Sequence, residues 1–186
     1  MDSKFLLSFQ KYSISLLPIF LITGPALSDL SISLTGLAFI FSNYKKIFKL
    51  IKKNYFLLFF IIFYFYILTL SFVSENIFLS LENSLFYFRY FFFILSVNYV
   101  YKNSTNFIKL FFISFLFAFV LLILDSYFQF FYGYNILGYK YDGIRLSSFF
   151  NDEKILGSYL SRLLPIFLGI CVYLFGKFKY KMIAVI

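Results

Sequence analysis

Histidine and tryptophan are missing from this chain of 186 residues, and cysteine occurs once, at Cys171. Without histidine the chain lacks the usual imidazole base and the commonest metal ligand in proteins. A single cysteine inside an apolar run permits neither an intramolecular disulfide nor a cysteine cluster, so we interpret Cys171 as a packing residue. The sequence therefore predicts no zinc site or other metal site, and it indicates no cofactor.

Charged residues are also scarce, at 13% of the chain against 62% hydrophobic residues, and the mean hydropathy is +0.87. Soluble domains carry about 25% charged and about 45–50% apolar residues, so this composition predicts a membrane protein. The net charge of +9 could suggest nucleic acid, but the lysines form short clusters between apolar runs, which is typical of loops held on the cytoplasmic side. We therefore expect contact with membrane lipids and none with nucleic acid.

The apolar runs predict an all-α, polytopic helical bundle that forms a single membrane domain over residues 1–186. One crossing needs about 20 apolar residues, and residues 12–44, with Asp29 as their only charge, are too many for one crossing. Gly24, Pro25 and Ser28 predict a turn and an N-cap there, so this run should fold back. The final MIAVI looks like a truncated seventh span of a longer protein. The six expected spans are approximately residues 12–25, 30–43, 55–73, 85–101, 107–124 and 157–176.

The charge distribution predicts the orientation of these spans. Lysines concentrate in segments expected inside the cell, above all in residues 45–53, whereas most acidic residues fall in segments expected outside. This asymmetry follows the positive-inside rule. It places the longest polar stretch, residues 126–156, on the outer side of the membrane.

Arg89 lies about one helical turn inside the fourth expected span, where an arginine is costly unless it snorkels, pairs or faces a polar cavity. One interpretation is a snorkelling side chain at the outer interface. The other is a guanidinium aimed at an anionic headgroup or a pyrophosphate. Asp125 ends the fifth expected span and could be interfacial, a helix-end residue or the partner of Arg89.

The outer loop contains the richest set of polar residues. Gly133, Gly138 and Gly143 permit turns. The loop could be only a solvated connection, but loops of this length are more often functional or disordered, and its aromatic content argues against disorder. Its polar candidates for substrate binding are the flanking arginines, which can hold phosphate in a bidentate fork, and the only adjacent carboxylates, which can act as a base or bind sugar hydroxyls. The carboxylates could instead cap the sixth span. These four candidates are Arg145, Arg162, Asp152 and Glu153.

Two segments carry a resemblance to a known family. RLSSFFNDEKILGSYLSRLLP, residues 145–165, resembles the loop-to-span motif of the O-antigen ligase and polymerase superfamily, and LDSYFQFFYGYNILG, residues 124–138, resembles an Asp-aromatic-Gln-aromatic-Gly-Asn-Gly segment of some bacterial members. The opening apolar run and the RYFFF of the fourth span fit the same group. The sequence departs from it at Ser148, where many members have Gly, and around residues 152–154, where they have Asn-Pro-Asn-like residues.

The resemblance implies a multi-pass protein of the bacterial inner membrane that functions in cell-surface polysaccharide synthesis. Such proteins act like glycosyltransferases on an undecaprenyl-diphosphate-linked glycan at the periplasmic face, without a nucleotide sugar or a metal. Arg89, Arg145, Asp152, Glu153 and Arg162 would then contact substrate, and other polysaccharide-assembly proteins would be partners. The large later periplasmic loop of the family is absent, so this chain alone would bind rather than catalyse. The alternative is a non-enzymatic transporter or flippase component.

Overall fold

The computed structural model describes residues 3–53, 55–150 and 153–176 of the chain. Within these residues the chain is helical and contains no β-strand. The helices are α1 Ser3–Ser15, α2 Leu17–Phe20, α3 Pro25–Lys53, α4 Tyr55–Ser71, α5 Ile77–Leu85, α6 Phe88–Asn103, α7 Phe107–Tyr132 and α8 Leu156–Phe175, with a short 3₁₀ helix, Ser148–Phe150, before α8. The expectation of an all-α fold is confirmed for this part of the chain.

Three of the described helices are long and apolar enough to cross a membrane: Pro25–Tyr44 within α3, Phe107–Tyr132 and Leu156–Phe175. Helix α7 shows why lipid suits this chain. One of its faces is buried, yet the opposite face is also apolar, with exposed side chains such as Phe117 and Phe131. A helix that is apolar all round is typical of a membrane span. Length and composition thus support a membrane protein.

The first apolar run contains a break, as expected, but the helices around it have different limits. The chain turns at residues 21–24, where Gly24 has a φ of 119°, and α3 begins at Pro25 rather than at residue 30. Proline at the start of a helix costs no hydrogen bond. Ser28 is not the expected N-cap, because its hydroxyl donates to the carbonyl oxygen of Pro25 at 2.9 Å. Helix α3 then continues through the lysine-rich segment to Lys53, with a kink at Asn43.

The middle of the chain differs more from the expected spans. Helix α4, with 17 residues, and helix α6, with 16, fall short of the length of the three long helices. Between them lies α5, an additional helix where the sequence predicted an outer loop with Glu75 and Glu82. Leu85 ends α5 and does not begin the fourth span as expected, because the backbone turns at Phe86 and Tyr87 before α6.

The last two expected spans are α7 and α8. Helix α8 matches its expected limits to within one residue. Helix α7 does not stop at residue 124 but runs on for two more turns to Tyr132, where Gly133, with a φ of 79°, ends it. Only glycine adopts this left-handed conformation without steric cost. Asp125 therefore lies inside a helix, and the expectation that it ends one was wrong.

The chain divides into two compact units. The first consists of Met1–Ile14 and Asp29–Ser104, and its core contains Phe39, Leu57, Phe91 and Leu95. The second consists of Ser15–Ser28 and Thr105–Ile186, and its core contains Ile22, Ala118, Leu122, Phe150 and Leu156. In the second unit the Tyr159 hydroxyl of α8 donates to the carbonyl oxygen of Pro18 in α2 at 3.1 Å, so the two helices are joined.

Candidate functional site

The carboxyl-terminal end of α7 carries polar side chains into the interior of the second unit. Asp125 and Gln129 are four residues apart, so they lie on one face of the helix, and both have no exposed surface. Asp125 accepts hydrogen bonds from the backbone N–H of Ile136 at 3.0 Å and from the Ser148 hydroxyl at 2.5 Å. One carboxyl group thereby ties both ends of the following loop to the helix.

Gln129 uses all of its amide group to hold the same loop. Its Oε1 accepts from the backbone N–H groups of Ser147 and Ser148, at 3.1 and 2.8 Å. Its Nε2 donates to the Tyr139 carbonyl oxygen at 3.3 Å and to the Ser147 hydroxyl at 3.2 Å. Buried polar groups are costly unless they are paired, so this complete pairing gives the loop a single conformation.

Asn135 completes this buried polar network from within the loop. Its side chain has no exposed surface; it donates to the Ser148 carbonyl oxygen at 2.6 Å and accepts from the Tyr139 N–H at 2.7 Å. We call Asp125, Gln129, Asn135, Ser147 and Ser148 the loop network. It makes residues 133–150 of the loop an ordered structure, as the aromatic content of the loop predicted.

Glycine and serine provide the left-handed backbone that this loop needs. Gly138 and Gly143 have φ values of 90° and 81°, which agrees with the turns predicted for them. Ser148 has a φ of 50°, a conformation that costs a residue with a Cβ about 1–2 kcal/mol. In this chain the serine compensates for the strain with its hydrogen bond to Asp125.

Arg145 lies at the exposed surface of the loop, next to a turn formed by Asp142. The Asp142 carboxylate accepts from the backbone N–H groups of Ile144 and Arg145, at 3.0 and 3.1 Å, and forms an ion pair with Lys154. The Lys154 ammonium, assisted by these two N–H groups, lowers the pKa of Asp142 well below its usual range. Among the described residues the Arg145 guanidinium has no hydrogen-bond or ion-pair partner, so it is available to a ligand.

Glu153 lines a cavity of about 550 Å³ in the second unit, together with residues of the 21–25 turn and of the loop. The alternative that Glu153 caps the sixth span is wrong, because the N-cap residue of α8 is Ile155 and no side chain caps this helix end. Asp152 lies outside the described residues. Arg162 is exposed on α8. Neither Arg145 nor Arg162 lines this cavity, so the structure does not gather these candidates around it.

Arg89 belongs to the first unit, where it is already paired. Its guanidinium donates to Asp29 at 3.0 Å and to the Tyr90 hydroxyl at 3.2 Å. The suggested pairing with Asp125 is therefore wrong, since Asp125 is fully satisfied by the loop network. Arg89 also borders a mostly apolar cavity of about 220 Å³. Its Nε is buried and has no hydrogen-bond partner in the described part of the chain.

Sequence reasoning noted Asp125 and the loop glycines but did not assign a role to Gln129, Asn135 or the two serines. The sequence did contain an indication of this role. Asp125 and Gln129 are polar residues four apart near the end of a mostly apolar helix, so they share a face and need hydrogen-bond partners when buried. It likewise missed Gln10 of α1, which is fully buried and accepts from the Ser96 hydroxyl of α6 at 3.2 Å. Neither set of partners could be read from the sequence, because they lie up to 86 residues away.

Comparison with protein-family models, with curated proteins and with solved structures found no match to this chain.

Proposed function

We propose that this chain is a multi-pass protein of the bacterial inner membrane that functions in cell-surface polysaccharide synthesis. In this proposal it is related to the O-antigen polymerases and ligases and handles a glycan carried on undecaprenyl diphosphate at the periplasmic face. The chain crosses the membrane six times: once in the first apolar run before α3, then in the long span of α3, in the short spans α4 and α6, and in the long spans α7 and α8. The loop of residues 133–155 then lies outside.

The observation that carries this proposal is the ordered loop with an unpaired arginine at its surface. Connecting loops need no buried carboxyl, amide and hydroxyl groups to hold them, and each buried polar group has a desolvation cost. The loop network therefore indicates that the conformation of this loop matters. It presents Arg145 on a fixed backbone between two apolar helices, where a lipid-linked anion would arrive.

Arg145 has the chemistry that a diphosphate requires. Its planar guanidinium can donate two parallel hydrogen bonds to phosphate oxygens. When a sugar carbon is attacked and its bond to the diphosphate breaks, negative charge develops on the leaving group. A fixed cation at that position stabilises the charge. Arg89 is less suited to this role, because Asp29 already neutralises it.

The test is to replace Arg145 in a bacterial strain whose polysaccharide depends on the gene that carries this sequence. A bidentate charge-assisted contact is worth about 1.5–3 kcal/mol, so Arg145→Ala should reduce polysaccharide ladder formation at least roughly tenfold. Arg145→Lys should recover little, since an ammonium cannot form the fork. Lys140→Ala is the matched control, because Lys140 is an exposed cation of the same loop.

Ladder intensity is measured on gels, with the membrane level of each variant determined by immunoblot. Normal ladders from Arg145→Ala at equal protein level would contradict the proposal. The transporter or flippase component would then be the better interpretation of the same chain.

A further inference from the structure

The cavity beside Glu153 has walls that select for one kind of ligand. It measures about 550 Å³, within the range of roughly 300–1,000 Å³ found for small-molecule sites. It is bounded by the 21–25 turn on one side and by aromatic side chains of the loop and of α8 on the other. All of these residues belong to the second unit.

The charge of the lining excludes an anionic ligand. Glu153 is the only charged side chain among the described residues that line the cavity, and neither arginine nor lysine is among them. A phosphate or a carboxylate would therefore meet a like charge and no cation. In the described part of the chain Glu153 has no ion-pair partner, so its charge is available to a ligand.

Three of the four described hydroxyl groups that line the cavity, all but that of Tyr139, already donate within the protein, so they offer acceptors to a ligand. Thr23 donates to the Phe20 carbonyl oxygen at 2.9 Å, and Ser28 donates to that of Pro25 at 2.9 Å. Tyr159 likewise donates within the protein, to Pro18. Each of these oxygens keeps lone pairs that can accept a hydrogen bond. A ligand rich in hydroxyl donors fits this lining.

The aromatic side chains supply apolar faces next to these acceptors. Tyr139 and Phe149 line the cavity, and within the described residues neither ring packs against another aromatic ring. The π face of an aromatic ring is negative, and it attracts the weakly positive C–H face of a pyranose. We propose that the cavity beside Glu153 binds an uncharged sugar ring, which stacks on Tyr139 and donates its hydroxyls to Glu153, Thr23 and Ser28.

This inference rests on the proposed function and refines it, because it assigns the glycan and the diphosphate of one substrate to different residues. The sugar enters the acceptor-lined cavity, whereas the diphosphate contacts Arg145, which does not line it. A small ammonium ligand would also suit aromatic rings and a carboxylate. It would, however, leave most of a cavity of about 550 Å³ empty.

The experiment is saturation-transfer NMR on the purified chain in detergent. The probes are methyl glycosides of common hexoses and N-acetylhexosamines, with choline and inorganic pyrophosphate as competitors. We expect at least one glycoside to bind saturably through its ring C–H groups, and neither competitor to displace it. No saturable glycoside, or displacement by choline or by pyrophosphate, would overturn the inference.

Substitutions then locate the binding. Tyr139→Leu removes the aromatic face and should raise the Kd for the glycoside at least roughly fivefold. Tyr139→Phe should bind the glycoside as the wild type does. Glu153→Gln replaces a charge-assisted acceptor by a neutral one and should also raise the Kd for the glycoside roughly fivefold. Tyr141→Leu and Glu75→Gln are the matched controls, because neither residue lines the cavity.

Thermal unfolding of each variant separates lost binding from lost folding, and wild-type affinity in folded Tyr139→Leu and Glu153→Gln would overturn the proposed site. This binding assay needs neither a lipid carrier nor catalysis. If glycosides fail to bind while Arg145→Ala abolishes ladders, the cavity inference fails alone. If glycosides bind while Arg145→Ala forms normal ladders, the proposed function fails alone.

Discussion

Gln129 is the residue on which the conformation of the loop depends most. Its side-chain amide forms hydrogen bonds with two backbone N–H groups, one carbonyl oxygen and one hydroxyl, all inside the protein. A leucine of similar size would fill the same space but leave those groups without partners. Gln129 therefore stabilises the loop mainly because its removal would leave buried polar groups unpaired, and less because any one of its hydrogen bonds is strong.

We predict that Gln129→Leu loosens the loop without unfolding α7. Each buried group left unpaired costs about 1–3 kcal/mol, so the loop should detach before the helices separate. Limited trypsin digestion measures this directly, since Lys140 and Arg145 lie in the loop. Cleavage there should accelerate at least roughly tenfold, whereas Phe117→Leu on the exposed side of α7, away from the loop, should cleave at the wild-type rate. Equal rates for the two variants would contradict the assigned role of Gln129.

Ser148 combines a strained backbone with a buried hydrogen bond, and two substitutions separate these effects. Ser148→Ala keeps the φ of 50° unfavourable and also removes the donor to Asp125. Ser148→Gly loses the same donor but relieves the strain, although glycine gains entropy in the unfolded chain.

We therefore expect both Ser148 variants to be less stable than the wild type, with the alanine variant about 1 kcal/mol less stable than the glycine variant. Denaturant unfolding in detergent measures the difference. An alanine variant as stable as the glycine variant would mean that Ser148 bears no backbone strain.

At the scale of structural elements, the turn at Asp142 holds the Arg145 backbone in place. The Asp142 carboxylate pairs with Lys154 and accepts two backbone N–H groups, and these contacts lower its pKa from an ordinary value of 3.8. A carboxylate with a lowered pKa stabilises the folded state above the pKa of the unfolded chain. This contribution is lost as the pH falls through the lower pKa of the folded state.

The turn should consequently stay unchanged from neutral pH down to about 4, and loosen only at more acidic pH. Carboxyl ¹³C NMR of Asp142 measures its titration. Lys154→Met removes the largest cause of the shift and should raise the pKa of Asp142 toward its ordinary value. A carboxyl that titrates normally in the wild-type chain would contradict the ion pair.

At the scale of the whole molecule, the number of crossings decides the topology. Three crossings by the long helices would place residues 45–106 on one side of the membrane. Six crossings would move the segment around α5 to the other side. Both arrangements place Asp142 on the opposite side of the membrane from Lys53, so the side of Asp142 does not distinguish them. They differ in the side on which Glu75 lies.

We predict six crossings, so reporter fusions after Lys53, Lys102 and Lys181 should score cytoplasmic, and fusions at Glu75 and Asp142 periplasmic. Paired phosphatase and fluorescent-protein fusions give opposite signals on the two sides. A cytoplasmic score at Glu75 would leave α4, α5 and α6 on the inner side and remove two of the six crossings. A cytoplasmic score at Asp142 would overturn the whole scheme.

By itself the sequence determined the properties that follow from composition and spacing. The apolar excess predicted helices suited to a membrane, a largely apolar run predicted the limits of α8, and Gly133, Gly138 and Gly143 marked turns that need left-handed backbone. These features are local, because hydropathy and allowed φ depend on a residue and its near neighbours.

Only the tertiary structure decided which polar residues meet. Asp29 rather than Asp125 pairs with Arg89, 60 residues away, and Ser148 reaches Asp125 across 23 residues. The end of α7 also lay beyond prediction, because a charged residue appeared to close the span, yet Asp125 is buried and satisfied by the loop that follows. Pairing of buried polar groups is a long-range requirement of the folded chain, and local sequence states only that a partner is needed.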